Sequence, residues 1–285
     1  MPDFLLSAFS DESAPDLEGQ IDALHRCGLK YMELRNIDGN SPVQLDISKL
    51  KEISKKLKDQ DIKVSAVGSP IGKILITQPF EPHFEQFKRA IQAADILGSK
   101  LIRIFSFYIP PNQPPEKYCG EVLERLEKLI EYAGSCGITC CHENEKGIFG
   151  DSIPRCMLLL EKLDALTGII DPANFIQCGQ LPLNIPSSML PRIKYLHIKD
   201  ALPDGTVVPS GQGAGHIPQL LDAFYKKDEA QFLSVEPHLH AFIGVSSLQK
   251  EELKHLKAYS SPQEAFDAAV AALKNILNER GYSYE

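Results

Sequence analysis

The 285-residue sequence has no tryptophan, no Cys-x-x-Cys pair and no apolar run long enough to cross a membrane. Each absence removes a class of protein. Without tryptophan, any aromatic platform for a ligand must be Phe or Tyr. The seven cysteines, Cys27, Cys119, Cys136, Cys140, Cys141, Cys156 and Cys178, are an odd number, and their spacing fits neither a disulfide framework nor a zinc ribbon. They read as small core hydrophobes in a reducing compartment. A membrane span needs about 18 consecutive apolar residues, so no membrane partner is expected. Basic residues are the scarcer charge, 30 against 38 acidic for a net −8. That balance argues against nucleic acid or an anionic bilayer as a partner. No GxGxxG follows the first strand pattern, which counts against a dinucleotide-binding fold. The opening residues MPDFLLSAFSDE lack the basic region and cleavage site of a secretory signal, so the cytoplasm is the expected location.

What is present is alternation. Short β-branched runs fall at 4–9, 30–35, 62–67, 100–107, 138–143, 168–171, 193–199 and 232–236. Amphipathic runs at 46–59, 83–97 and 119–133 lie between them. In the first of these, Ile47, Leu50, Ile53 and Leu57 recur at helical spacing. Gly28, Gly98 and Gly137 stand where helices should stop and strands begin. Eight strands alternating with helices make a parallel sheet, and eight is the number that closes a (β/α)8 TIM barrel. With no Pro/Gly/Ser linker, the expectation is a single α/β domain over 1–285. Long loops at 200–215 and 237–260 follow the seventh and eighth strands, the second with a helical pattern at 247–256.

Barrel chemistry lies at the C-terminal ends of the strands. The fifth strand ends in Glu143, the sixth in Asp171, the seventh near His197 and the eighth in Glu236. The spacings of 28, 26 and 39 residues are each about one βα unit, the last enlarged by the long loop. Each residue has a bland reading. Glu143 can start a helix, Asp171 can form a turn before Pro172, His197 can be a satisfied core histidine, and Glu236 can pair with a lysine. Jointly the bland readings require four coincidences. A carboxylate buried at the end of an apolar strand needs a counter-charge, and one shared cation serves all three. Three carboxylates and an imidazole suit Mn2+, Mg2+ or Co2+ and tolerate Zn2+.

These residues and their surrounding words resemble the sugar-phosphate isomerase/epimerase group of the xylose-isomerase-like TIM-barrel superfamily. The words are SDE (10–12), ELR (33–35), RIFSF (103–107), HENE (142–145), DPANF (171–175), HIKD (197–200) and VEPH (235–238). The resemblance implies one divalent metal held by Glu143, Asp171, His197 and Glu236. It also implies aldose–ketose isomerisation or epimerisation of a small carbohydrate, with Glu143 and Glu236 moving the proton. Inosose-dehydratase-like lyases share the pattern, and a non-catalytic sugar-binding barrel is a further alternative. An endonuclease-IV-like metal cluster is excluded, because the third and fourth strand ends offer none of its extra histidines. Asn174 also stands where related epimerases often have a histidine.

Substrate-contact candidates are Asn174, Lys199, Arg103 and His238. His240 follows in the same loop, and Phe105, Phe107 and Tyr108 are candidate surfaces for a sugar face. The glycine-rich stretch 211–215 is read as a flexible turn or a backbone cradle for phosphate. The sequence allows a homo-oligomer.

Overall fold

The structure is a computed structural model that describes residues 2–226, 229–241 and 259–285. Its core is a closed barrel of eight parallel strands in the order β1-β10-β7-β6-β5-β4-β3-β2. The barrel strands are β1 (Phe4–Ala8), β2 (Tyr31–Leu34), β3 (Lys63–Val67), β4 (Leu101–Ile104), β5 (Thr139–Glu143), β6 (Thr167–Ile170), β7 (Ile193–Ile198) and β10 (Gln231–Val235). All eight strand candidates of the sequence are present. The fourth is shorter than its apolar run, because Phe105 N–H donates to Ile71 O instead of a ladder partner. Two residues on, Phe107 takes a positive φ of 66°, and the chain leaves the sheet.

Outside the barrel lie α1 (Leu17–Arg26), α2 (Ile47–Asp59), α3 (Glu81–Leu97), α4 (Cys119–Ser135), α5 (Ile153–Lys162), α6 (Pro172–Gln177), α7 (Ile217–Phe224) and α8 (Pro262–Arg280). Helix α2 shows how its sequence sets its place. Asp46 caps the first turn by accepting from Lys49 N–H, an arrangement that satisfies an otherwise orphan donor. Leu50, Ile53 and Leu57 are buried, but Ile47 is 45% exposed in the first turn. Gly28, Gly98 and Gly137 all have positive φ, as helix-ending residues require.

Strand alternation splits the molecule into two apolar regions. Outward side chains pack under the helices. Inward side chains Ala66, Leu101, Cys141, Ile169, Tyr195 and the partly buried Phe232 form a separate plug inside the barrel. Cys140 and Cys141 point to opposite sides accordingly. The uniform reading of the cysteines does not hold. Cys140, Cys141 and Cys156 are buried, Cys136 is exposed and the rest are intermediate.

The loop at 200–215 carries a small antiparallel hairpin, β8 (Asp200–Ala201) with β9 (Val207–Val208). The helical pattern at 247–256 lies outside the described residues. Among the described residues, no helix is long and apolar enough to cross a membrane.

Candidate metal and active site

Above the plug, the C-terminal ends of four adjacent strands bring Glu143, Asp171, His197 and Glu236 together. One donor atom from each lies within 4.8 Å of all the others, and all four residues are buried. Strand register accounts for this. Ser234 pairs with His197, and Glu143 with Ile169, so each site residue stands one or two positions from the common rim.

Local sequence fixes each donor. Asp171 directly follows β6 and caps α6, accepting from Asn174 N–H at 3.0 Å through Oδ1. Pro172 follows at the first helical position, where its missing N–H costs nothing. The turn-forming reading of Asp171 is therefore correct for Oδ1, while Oδ2 faces the cluster. Asn144 holds the Asp171 backbone from both sides. Its amide donates to Asp171 O and its Oδ1 accepts from Asp171 N–H, each at 2.9 Å. His197 presents Nδ1 to Glu143 Oε1 at 2.9 Å and to Glu236 Oε2 at 3.7 Å.

Cations surround the carboxylates. Lys199 Nζ lies 2.7 Å from Asp171 Oδ2 and 3.0 Å from Glu236 Oε2. Arg103 lies 3.1 Å from Glu143 Oε2, and Arg35 donates to Glu236 Oε1 at 3.0 Å. Even so, negative charge is in surplus. Asp11, Glu12, Glu33, Glu143, Asp171 and Glu236 are all buried in this neighbourhood, against Arg35, Arg103 and Lys199. Titration follows that imbalance. Burial, then Glu236 and Glu143, push the Asp171 carboxyl up in spite of Lys199. Burial likewise raises Glu12, to about 8. Burial also opposes ionisation of Glu143 and Glu236, but His197 with Arg103, and Lys199 with His238, hold those two below the usual carboxylate range. Burial would lower His197, yet Glu143 and Glu33 raise it, to about 10.

This arrangement fits a divalent cation. Glu143 Oε2 and Asp171 Oδ2 are buried without a well-directed hydrogen bond, and only ion pairs address them. Such oxygens are costly to bury unless a counter-charge meets them.

The substrate-contact candidates divide. Asn174 reaches the cluster, donating to Asn144 O at 2.9 Å and to Glu143 Oε1 at 3.4 Å. Arg103 and Lys199 line it as described. His238 places Nε2 3.4 Å from both Glu236 and Glu12, at a positive φ of 45°. His240 is turned to its own chain, with Nδ1 on Ala241 O. Phe105 is inside the mouth, under Arg103 and Lys73. Phe107 is not a sugar platform, because it packs outward against Phe80 and His83. Neither reading of the glycine loop holds. The N–H groups of Gly211, Gly213 and Gly215 donate to the Asp200 carboxylate at 2.8–3.0 Å. The nest is filled by the chain's own anion.

Four further charged residues belong to the site. Arg35 is gripped by Asp11 and Glu12, and Glu33 faces His197 Nε2 at 3.2 Å. The ELR and SDE words carry them. Charged residues two apart within an apolar strand, Glu33 and Arg35, share one face, and that was the available signal.

The sequence matches the xylose isomerase-like TIM barrel family over residues 21–259, and the chain belongs to that family. No curated protein sequence matches the chain. Among solved structures it is similar to an L-ribulose 3-epimerase at 17% identity and TM-score 0.72, covering 99% of this chain and 97% of that one. It is also similar to the IolI protein with a bound zinc atom, at 17% identity and TM-score 0.73, covering 97% and 99%. The probable 3-DHS dehydratase AsbF of Bacillus anthracis aligns at 15% identity and TM-score 0.71, covering 95% and 98%.

Proposed function

We propose that the protein is a divalent-metal-dependent isomerase or epimerase of a small sugar or sugar derivative, with Glu143 and Glu236 as its acid–base pair. The convergence of four donors from four adjacent strands carries this reading. Glu143, Asp171, His197 and Glu236 are the proposed metal ligands. When bound, the ion polarises the substrate's carbonyl and hydroxyl oxygens and acidifies the neighbouring C–H.

The chain supplies the proton transfer. Glu143 ends β5 and Glu236 follows β10, the outer two of the four strands, so they approach a substrate lying over the cluster from two sides. One carboxylate takes the proton from carbon, and the C–H electron pair moves into the carbonyl to form an enediolate. The other glutamate, protonated as the substrate binds, gives its proton back on the opposite face for epimerisation, and exchange with solvent restores the starting protonation of the pair. Return to the adjacent carbon, with a hydroxyl proton moving between the two oxygens, gives isomerisation. Asn174, Lys199, Arg103 and His238 are the proposed substrate contacts.

Dehydration begins with the same abstraction but then needs an acid at the departing hydroxyl. That extra step makes product analysis the discriminator between the two reactions. The free thiols support a cytoplasmic setting.

The test is deuterium incorporation. Manganese-loaded protein in D2O, given a panel of ketoses and their phosphates, should label the carbon beside the carbonyl. Loss of water from the substrate would establish the dehydratase instead. No labelling and no metal uptake would leave a non-catalytic barrel.

A further inference from the structure

Glu33 is absent from the four-donor cluster, yet its side chain is fully buried against the only imidazole in that cluster. A shift in the β2–β3 register falls between Met32 and Glu33, and it places Glu33 beside Ala66 of the inner plug. From there the carboxylate reaches His197 Nε2 at 3.3 Å through Oε1 and 3.2 Å through Oε2. The Tyr195 hydroxyl donates to Glu33 Oε1 at 2.8 Å. The two faces of the imidazole are therefore distinct. Nδ1 looks toward Glu143 and Glu236, and Nε2 looks toward Glu33. Phe9 and Tyr195 meet the ring edge-on, with centroids 5.1 and 5.4 Å away, and restrict its rotation.

We infer that Glu33, itself held by Tyr195, is a positioning residue for the metal site. It accepts the Nε2–H of His197, so that when a cation takes the place of the Nδ1 proton the Nδ1 lone pair is already aimed at the cluster. The inference rests on the metal reading above. A neutral imidazole carries one N–H and one lone pair, and the partner of one nitrogen decides which role the other takes. A carboxylate is the stronger acceptor for that N–H. Glu33 is separated from the donors by the ring itself, so it acts through His197 and is no ligand. Loss of such an outer partner weakens metal affinity by about 10- to 100-fold.

Cobalt(II) titration of the purified full chain tests this, with Glu33→Gln and Tyr195→Phe variants alongside. Glu33→Gln should stay folded by circular dichroism and bind Co2+ about 10- to 100-fold more weakly. Tyr195→Phe should weaken binding by a smaller factor. In the cobalt-loaded wild type, the imidazole N–H should appear as one hyperfine-shifted exchangeable proton resonance, moved or lost in Glu33→Gln. A purely structural Glu33 would alter the melting temperature and leave Co2+ affinity and that resonance unchanged, and this result overturns the inference. If Glu33→Gln does not fold, Tyr195→Phe decides, and unchanged affinity there overturns it equally. Wild-type protein that takes up no Co2+ overturns both this inference and the metal reading. Wild-type uptake with variant affinities unaltered overturns this inference alone.

Discussion

At the scale of single residues, the site is a balance of buried charge. Each proposed ligand carboxylate has a cation beside it, and none of these groups can change alone without exposing its partner. On the proposed mechanism, Glu143→Gln and Glu236→Gln should each lower the rate of deuterium exchange by about 10²- to 10⁴-fold, the usual contribution of a positioned acid or base. Exchange rates followed by NMR check this, and a loss under tenfold in either variant removes that glutamate from the pair. The four clustered donors were legible because each stands at the end of an apolar strand and chain order repeats at one βα unit. Glu33 was not assigned a role, because its partner His197 is 164 positions away. Nothing local marks that pairing. Asp200 was hidden for a related reason. A glycine-rich loop looks the same in sequence whether its N–H groups are empty or filled.

At the scale of elements, two features position the site from outside. The first is the loop after β7. A Cβ on Gly213 would sit 2.3 Å from Asp200 Oδ1 and 2.4 Å from Ala201 O, closer than real contacts allow. Gly213→Ala should destabilise the protein by about 1–3 kcal/mol through overpacking, read from urea unfolding. An unchanged midpoint would mean that the loop is not clamped around Asp200. The second is the outward side of β5. His142 Nε2 lies 2.9 Å from Ser106 Oγ, which also accepts from Gly150 N–H. Burial pushes the His142 imidazole down to about 4 from its ordinary 6.5. The unfolded chain therefore binds this proton first as pH falls. The stabilising contribution is complete above pH 6.5 and declines toward pH 4, by about 1.4 kcal/mol per pH unit. The stability difference between wild type and His142→Gln should shrink by about 2 kcal/mol from pH 6.5 to 5. A pH-independent difference would show that the ring titrates normally. His83 acts in the same direction, since burial lowers its pKa and its Nε2 accepts from Gly72 N–H at 2.8 Å.

At the scale of the whole molecule, a closed barrel holds a layer of buried charge above an apolar plug. Tyr195 joins the two layers, with its ring in the plug and its hydroxyl on Glu33. A ligand that binds only the folded state stabilises it by mass action. At about 100 times its Kd, Mn2+ should add about 2.7 kcal/mol and raise the melting temperature by several degrees, with chelation reversing the shift. An unchanged Tm across Mn2+, Mg2+, Co2+ and Zn2+ would remove the metal site.

Sequence by itself determined the alternation of eight strands with helices, the barrel that such alternation closes, and the four potential metal donors at successive strand ends. Those properties are periodic or local, so they survive in one dimension. Tertiary structure alone decided which charges meet. Barrel closure through β1 and β10 brings β2 to face β7 across the interior, so Glu33 backs His197. The turn after β4 sends Phe107 outward and keeps Phe105 in the mouth. The hairpin after β7 folds three glycine amides onto Asp200. Each is a contact between segments whose spacing carries no period, and only the closed packing of the chain fixes it.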